Sequence, residues 1–196
     1  VAVSEMASSK SSTNLKPNKI QTAVMSALAA MSLSQTAIAE VDDADVDNPA
    51  GTTISGTGYG VKLDAGGPYT VANSGEINST AGTLSYGIDI NSITVTSINN
   101  TSTGVIKADA TTGGRAYGIN MGATASVGTL INAGLISGSA ASTFGRGIHL
   151  TSSNIETLTN SGRILGVAGA SKGTGLFATK RTITTLTNTG TISGSA

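Results

Sequence analysis

The sequence predicts an all-β protein: a right-handed parallel β-helix with three short strands in each coil of about 28 residues, preceded by a helical signal peptide. Three observations carry this expectation. A glycine beside a polar Asn segment recurs at Gly75, Gly104, Gly134, Gly162 and Gly190, each followed two residues later by Ile. A second landmark keeps phase with it: Tyr59-Gly-Val61, Tyr86-Gly-Ile88, Tyr117-Gly-Ile119, Arg146-Gly-Ile148 and Thr174-Gly-Leu176. A third falls between them, in Ile93 to Ile98, Val127 to Leu130, Ile155 to Leu158 and Ile183 to Leu186.

Within the second landmark apolar residues alternate, as Val61/Leu63, Ile88/Ile90, Ile119/Met121, Ile148/Leu150 and Leu176/Ala178. Period two puts successive side chains on opposite faces, so one face of a strand is buried. Gly, Ser, Asn and Thr cluster between the runs, where the chain must turn. One coil buries too few aliphatic side chains to offset the entropy of ordering its backbone. Stacked coils share ladder hydrogen bonds and cover each other's faces, so stability becomes a sum over neighbours.

The chain before the repeats is of a different kind. Residues 1–50 hold none of the 26 glycines and three of the four methionines, Met6, Met25 and Met31. Lys10, Lys16 and Lys19 precede an apolar run from Ile20 to Leu33, which is followed by small residues at Ala37 and Ala39. A positive flank, an apolar stretch of about 14 residues and an Ala-x-Ala site have the form of an export signal. The run is shorter than the roughly 20 apolar residues of a membrane span. Residues 1–39 are therefore expected to be the signal, cut between Ala39 and Glu40. Residues 40–50, from Glu40 through Asp42, Asp43, Asp45 and Asp47, are expected to be a solvated acidic linker. Residues 51–196 are the repeats. Asn100-Thr-Ser-Thr-Gly104 is two residues longer than its counterparts and is placed in a turn. One Asn per coil keeps its position, at Asn73, Asn100, Asn132, Asn160 and Asn188, which suggests a ladder of stacked amides at a corner.

Ile183-Thr-Thr-Leu-Thr-Asn-Thr-Gly-Thr-Ile-Ser-Gly194 and its cousins at 155–166 and 127–138 resemble the passenger repeats of autotransporters, proteins of type V secretion. Val1-Ala-Val-Ser-Glu-Met-Ala-Ser-Ser-Lys10 resembles the end of the extended signal region of the same system. The resemblance spans nearly the whole chain. It implies a start upstream of Val1, further passenger beyond Ala196, and a C-terminal outer-membrane β-barrel outside this sequence. It also implies partners: the secretion machinery, which reads the signal, and host surfaces or other bacterial cells. The localisation implied is export through the periplasm to the outer membrane and cell surface. The function implied is a structural stalk and adhesin with a role in virulence. Two alternatives are the scaffold of a secreted enzyme whose catalytic part lies elsewhere, and the head of a trimeric adhesin.

Composition narrows the chemistry. Eleven basic and eleven acidic residues leave no net charge and no basic stripe, so nucleic acid is not an expected partner. Without cysteine there is no disulfide scaffold, thiolate metal site or thiol nucleophile. Asp43, Asp45 and Asp47 have calcium-loop spacing, but Asn48 and Ile54 stand where such a loop needs Gly and Glu. Gly169-Ala-Ser-Lys-Gly173 fits a nucleophile-elbow pattern without the helix it requires. No catalytic, cofactor or metal residue is assigned. His149, the single histidine, alternates with Ile148 and Leu150 and should point outward. The equivalent positions read Lys62, Asp89, Asn120, His149 and Phe177, a row spaced about 4.8 Å apart and the best candidate for a binding strip. It holds one carboxylate, too few for an acid/base pair on a polysaccharide, and is expected to be a solvated face.

Overall fold

A computed structural model describes residues 37–179 and 182–196. The expected signal peptide lies, up to residue 36, outside the described residues. Every described element is a strand or a turn. The strands are β1 (Ala37–Ile38), β2 (Val41–Asp42), β3 (Val46–Asn48), β4 (Thr53–Gly56), β5 (Tyr59–Leu63), β6 (Tyr69–Asn73), β7 (Glu76–Ala81), β8 (Leu84–Ile90), β9 (Thr94–Asn100) and β10 (Val105–Ala110). They continue as β11 (Arg115–Met121), β12 (Ser126–Asn132), β13 (Leu135–Ala140), β14 (Phe144–Thr151), β15 (Asn154–Asn160), β16 (Arg163–Ala168), β17 (Lys172–Thr179), β18 (Ile183–Asn188) and β19 (Thr191–Ser195).

Every third strand returns to the same sheet. β1, β4, β7, β10, β13, β16 and β19 form the first sheet; β2, β5, β8, β11, β14 and β17 the second; β3, β6, β9, β12, β15 and β18 the third. All pairings are parallel and join strands one coil apart, so the chain is a parallel β-solenoid. The register stacks like on like. Ile77, Ile106, Ile136 and Ile164 lie above one another in the first sheet, and Ile88, Ile119 and Ile148 in the second. Ile98, Leu130 and Leu158 do the same in the third. All are wholly buried, and together they form one aliphatic interior. The long turn at Asn100–Gly104 is accommodated at a corner, where the Thr103 hydroxyl donates to the Ser74 carbonyl at 2.8 Å.

The corner from the second sheet to the third is made by a single left-handed residue between β2 and β3, β8 and β9, β11 and β12, and β14 and β15, whereas between β5 and β6 it takes two left-handed glycines, Gly66 and Gly67. Asp43, Ser92, Thr124 and Ser152 have φ between 46° and 60°. Each is followed by a buried residue, Ala44, Ile93, Ala125 or Ser153, so one reversed residue turns the chain back onto the core.

Two features depart from the expected three-sided coil. The expected linker is the first coil: β2 and β3 lie within residues 40–50 and pair with β5 and β6. Val41, Ala44 and Val46 are buried while the acidic residues between them face outward. Alternation of small apolar and acidic residues is itself a strand pattern, and the density of aspartates hides it. The expected cut after Ala39 would fall just beyond β1, whose Ile38 pairs with Ile54 and packs against the core.

The second departure is a narrow arm beside the main core. The end of each first-sheet strand faces the start of the next second-sheet strand across a gap filled only by small residues. Ser79 bonds Ser85 there at 2.9 Å, and Ala108, Ala110, Ala116 and Ala140 form a separate small cluster. A methyl group on Gly138 would come within 2.3 Å of the Ala116 carbonyl, and one on Gly166 within 2.4 Å of the Gly145 carbonyl. The small residues read from sequence as turn formers are here interior.

Candidate functional site

The second sheet carries the chemistry, because its strands bend. In β5, β8, β11 and β14 the glycine of the second landmark and the aliphatic residue after it are both buried, so two successive positions face inward. The outer face then folds in on itself. Side chains three register positions apart on neighbouring strands converge, as Tyr117 of β11 and His149 of β14 do at 4.4 Å between ring centroids. The bend needs glycine for space, since a methyl group on Gly118 would lie 2.7 Å from the Gly147 carbonyl.

Three outward rows result, each in register. One contains Leu84, Arg115, Phe144 and Lys172. The next contains Tyr59, Tyr86, Tyr117, Arg146 and Thr174. The third is the row singled out from sequence, Lys62, Asp89, Asn120, His149 and Phe177, and the structure does place its members directly above one another.

That third row is not the solvated face expected. Asp89 is 4% exposed and Asn120 8%. The bend and the tyrosines of the adjoining row cover them. Their polar atoms are consumed by one another. Asn91 Nδ2 donates to Asp89 Oδ2 at 2.7 Å, and Asn120 Nδ2 donates to Asp89 Oδ1 at 2.6 Å. The Asn120 carbonyl oxygen then faces His149 Nδ1 at 2.8 Å, so Nδ1 carries the imidazole proton and Nε2 accepts the Thr151 hydroxyl at 2.9 Å. Burial holds the Asp89 carboxyl above its ordinary value, opposed by the amides of Asn120 and Asn91. Burial, and then the charges of Arg146 and Arg115, push His149 down to about 4. A hydroxyl, an imidazole and an amide in sequence have the connectivity of a nucleophilic relay. An imidazole this acidic is neutral at neutral pH but a weak base, far from the value that favours proton abstraction.

An aromatic stack runs along the same face. Tyr59 and Tyr86 lie parallel at 5.4 Å, Tyr86 and Tyr117 follow at 5.7 Å, and the stack crosses to His149 and Phe177 where Arg146 takes the tyrosine position. Burial pushes the Tyr86 hydroxyl up to about 12, with Asp89 adding to it. Arg146 fills the break. Its guanidinium sits 3.7 Å from the Phe177 ring centroid and 4.9 Å from that of Phe144. The Arg115 guanidinium lies 5.9 Å from the Phe144 ring centroid. Among the described residues no carboxylate pairs with Arg115, Arg146 or Lys172, and Arg146 Nε is buried without a hydrogen-bond partner. Sequence reading missed these cations because they lie outside the His149 row and only the bend joins them.

The Asn ladder lies at the corner between the third and first sheets. Asn73 donates to Asn100 at 2.8 Å, Asn100 to Asn132, Asn132 to Asn160 and Asn160 to Asn188 at 2.7 Å each. Asn48, which lacks the Asn-x-Gly spacing and was not foreseen, heads the row and donates to Asn73 at 2.7 Å. Its own carbonyl oxygen accepts the Thr52 hydroxyl. Each amide from Asn48 to Asn160 also reaches a backbone carbonyl of the following coil, as Asn132 does at Arg163. From Asn48 to Asn160 the row is a buried structural spine whose amides are engaged within the protein.

At the first coil Asp42, Asp43 and Asp64 bring carboxylate oxygens within 4.8 Å of one another. The Lys62 ammonium stands among them, 2.6 Å from Asp64 and 4.0 Å from Asp42. Asp43 Oδ1 accepts the backbone N–H groups of Asp64 and Ala65. The cluster is satisfied by the protein itself.

Comparison with known protein families, characterised proteins and solved structures finds no match to this chain.

Proposed function

We propose that the chain is the shaft of a secreted, surface-displayed adhesive passenger of the autotransporter kind, wound as a right-handed β-helix. The observation that carries this reading is continuity. Three parallel sheets, one aliphatic interior and one amide spine run without interruption through every described coil. Such an object is long, stiff and polar outside, which suits holding a surface away from a cell. A rigid rod also needs no catalytic centre, and the best-organised polar network, around His149, is tied up in its own hydrogen bonds. The Ala39–Glu40 region and the basic, apolar and small-residue order before it support export by a signal peptide.

The test is cellular. Cells carrying the complete gene are compared with cells in which it is deleted, for attachment to abiotic and host-cell surfaces and for clumping. Attachment or clumping that disappears with the gene is the expected result. Indistinguishable behaviour, with the protein verified on the surface by antibody, would overturn the adhesive reading.

A further inference from the structure

The geometry points to an acidic polysaccharide, carrying carboxylate or sulfate groups along its length, as the ligand of the outer face of the second sheet around Arg115, Phe144, Arg146 and Lys172. This assignment rests on the adhesive reading and names the surface and the ligand class for it.

Two of the three cations, Arg115 and Arg146, lie near the Phe144 ring, and the third, Lys172, is its register partner. Arg115 and Lys172 are the register partners of Phe144 in the coils on either side, and Arg146 lies two residues along the same strand. Neighbouring coils are about 4.8 Å apart, so positive charge recurs along the solenoid axis at the spacing of adjacent strands. Arg115 and Lys172 are exposed and Arg146 is half-buried. None has a carboxylate partner among the described residues, whereas Lys62 and Lys107 are both paired. The field of the two arginines is felt nearby: it adds to the lowering of His149 that burial causes and opposes the burial-driven rise of Tyr117. In a chain with no net charge, this is a local excess of positive charge that a bound anion would balance.

The presentation favours a sugar anion. A guanidinium stacked on an aromatic ring is held flat and keeps its N–H edge for a planar or tetrahedral oxyanion. Phe144, half-buried, offers ring surface beside the charges, and Thr174, also half-buried, adds a hydroxyl in the Arg146 row. A stiff sheet meets an extended chain of repeating anionic units with little ordering cost. Three cations are too few to neutralise a run of nucleic-acid phosphates.

The experiment titrates the intact 196-residue chain at low salt with dextran sulfate and with polygalacturonate. Uncharged dextran, poly-L-glutamate and duplex DNA serve as comparisons. Both acidic polysaccharides are expected to bind, more weakly as salt rises, and uncharged dextran is expected not to bind. Arg115→Gln/Lys172→Gln, at two exposed positions, should weaken binding by about tenfold or more. Lys62→Gln/Lys107→Gln, which removes the same charge elsewhere, should change it by less than about twofold. No binding to either polysaccharide, equal losses in the two double variants, or equal affinity for polyglutamate or DNA would overturn the proposal. Cells displaying the Arg115→Gln/Lys172→Gln protein separate the two readings. Adhesion that survives this change would defeat the polysaccharide site alone, and absence of adhesion in the unaltered protein would defeat the adhesive function itself.

Discussion

Asn132→Ala is expected to destabilise the solenoid by about 3–5 kcal/mol, far more than the loss of one amide on a surface. Asn132 is wholly buried. It accepts from Asn100 and donates to the Asn160 side chain and to the Arg163 carbonyl. Alanine leaves the buried Asn160 oxygen without its donor, which costs about 1–3 kcal/mol, and also removes the bond to the part-buried Arg163 carbonyl and the packing of a wholly buried side chain. Asn100 still reaches the Gly104 and Leu135 carbonyls, so its amide is only partly stranded. The loss is read from urea unfolding of the purified chain. Asn132→Asp sharpens the test. It keeps the shape but sets a carboxylate oxygen against the Asn160 and Arg163 oxygens, so the folded state disfavours its charged form and raises its pKa. A raised folded pKa means the variant's stability is best below the unfolded value and falls as pH rises through the folded one. Asn132→Asp should therefore be most defective at neutral pH and recover part of its stability in acid. Equal stability of the two variants and the native chain would show that the ladder is ornamental.

Gly118→Val should prevent the native coil from forming, a loss above about 4 kcal/mol. The added Cβ would lie 2.7 Å from the Gly147 carbonyl, 2.8 Å from Ile136 Cγ2 and 2.9 Å from the Ser137 nitrogen. Two of those three atoms are backbone, so relief requires adjacent coils to part and ladder hydrogen bonds to break. Gly82→Ala is the contrasting change. Its Cβ would meet only the Thr112 hydroxyl, at 3.2 Å, which can rotate away. That variant should stay within about 1 kcal/mol of the native chain. Far-UV circular dichroism and urea midpoints of both variants check the contrast, and a natively folded Gly118→Val protein would refute the packing described for the bend.

The parallel three-strand coil was legible because two kinds of landmark recur in phase. The Asn-x-Gly-x-Ile segments mark the spine and the entry to the first sheet, and the Tyr-Gly-Ile segments mark the bend of the second. Period-two alternation then identified Ile88, Ile119 and Ile148 as interior, where all three are wholly buried. The first coil escaped notice for a physical reason. Its interior residues, Val41, Ala44 and Val46, are small and separated by aspartates, so charge masked the alternation. Asn48 escaped with it, because Pro49 and Ala50 stretch the spacing to the next glycine. The narrow arm was illegible for another reason: Ala116, Gly138 and Gly145 are interior only because two strands approach too closely for anything larger.

The outer site was half legible. Alternation placed Lys62, Asp89, Asn120, His149 and Phe177 in one outward row, and they share it. Alternation cannot report a bend, and the bend decides the environment. It buries Asp89 and Asn120, sets Tyr117 against His149, and draws Arg146 over Phe177. A row that would otherwise be solvated becomes a closed network beside an open cluster of cations.

The register of stacked coils can be measured directly, because the chain has no cysteine of its own. Ser126 and Asn154 are register partners in β12 and β15, with Ser126 half-buried and Asn154 exposed. Partners one strand apart fall within the Cα separation of roughly 4.4–6.8 Å that a disulfide spans. Mild oxidation of Ser126→Cys/Asn154→Cys should close an intramolecular disulfide quickly and leave the fold unchanged, whereas Ser126→Cys/Thr182→Cys, two coils apart, should stay reduced. Slow or absent closure of the first pair, or equal closure of both, would contradict the stacked parallel solenoid.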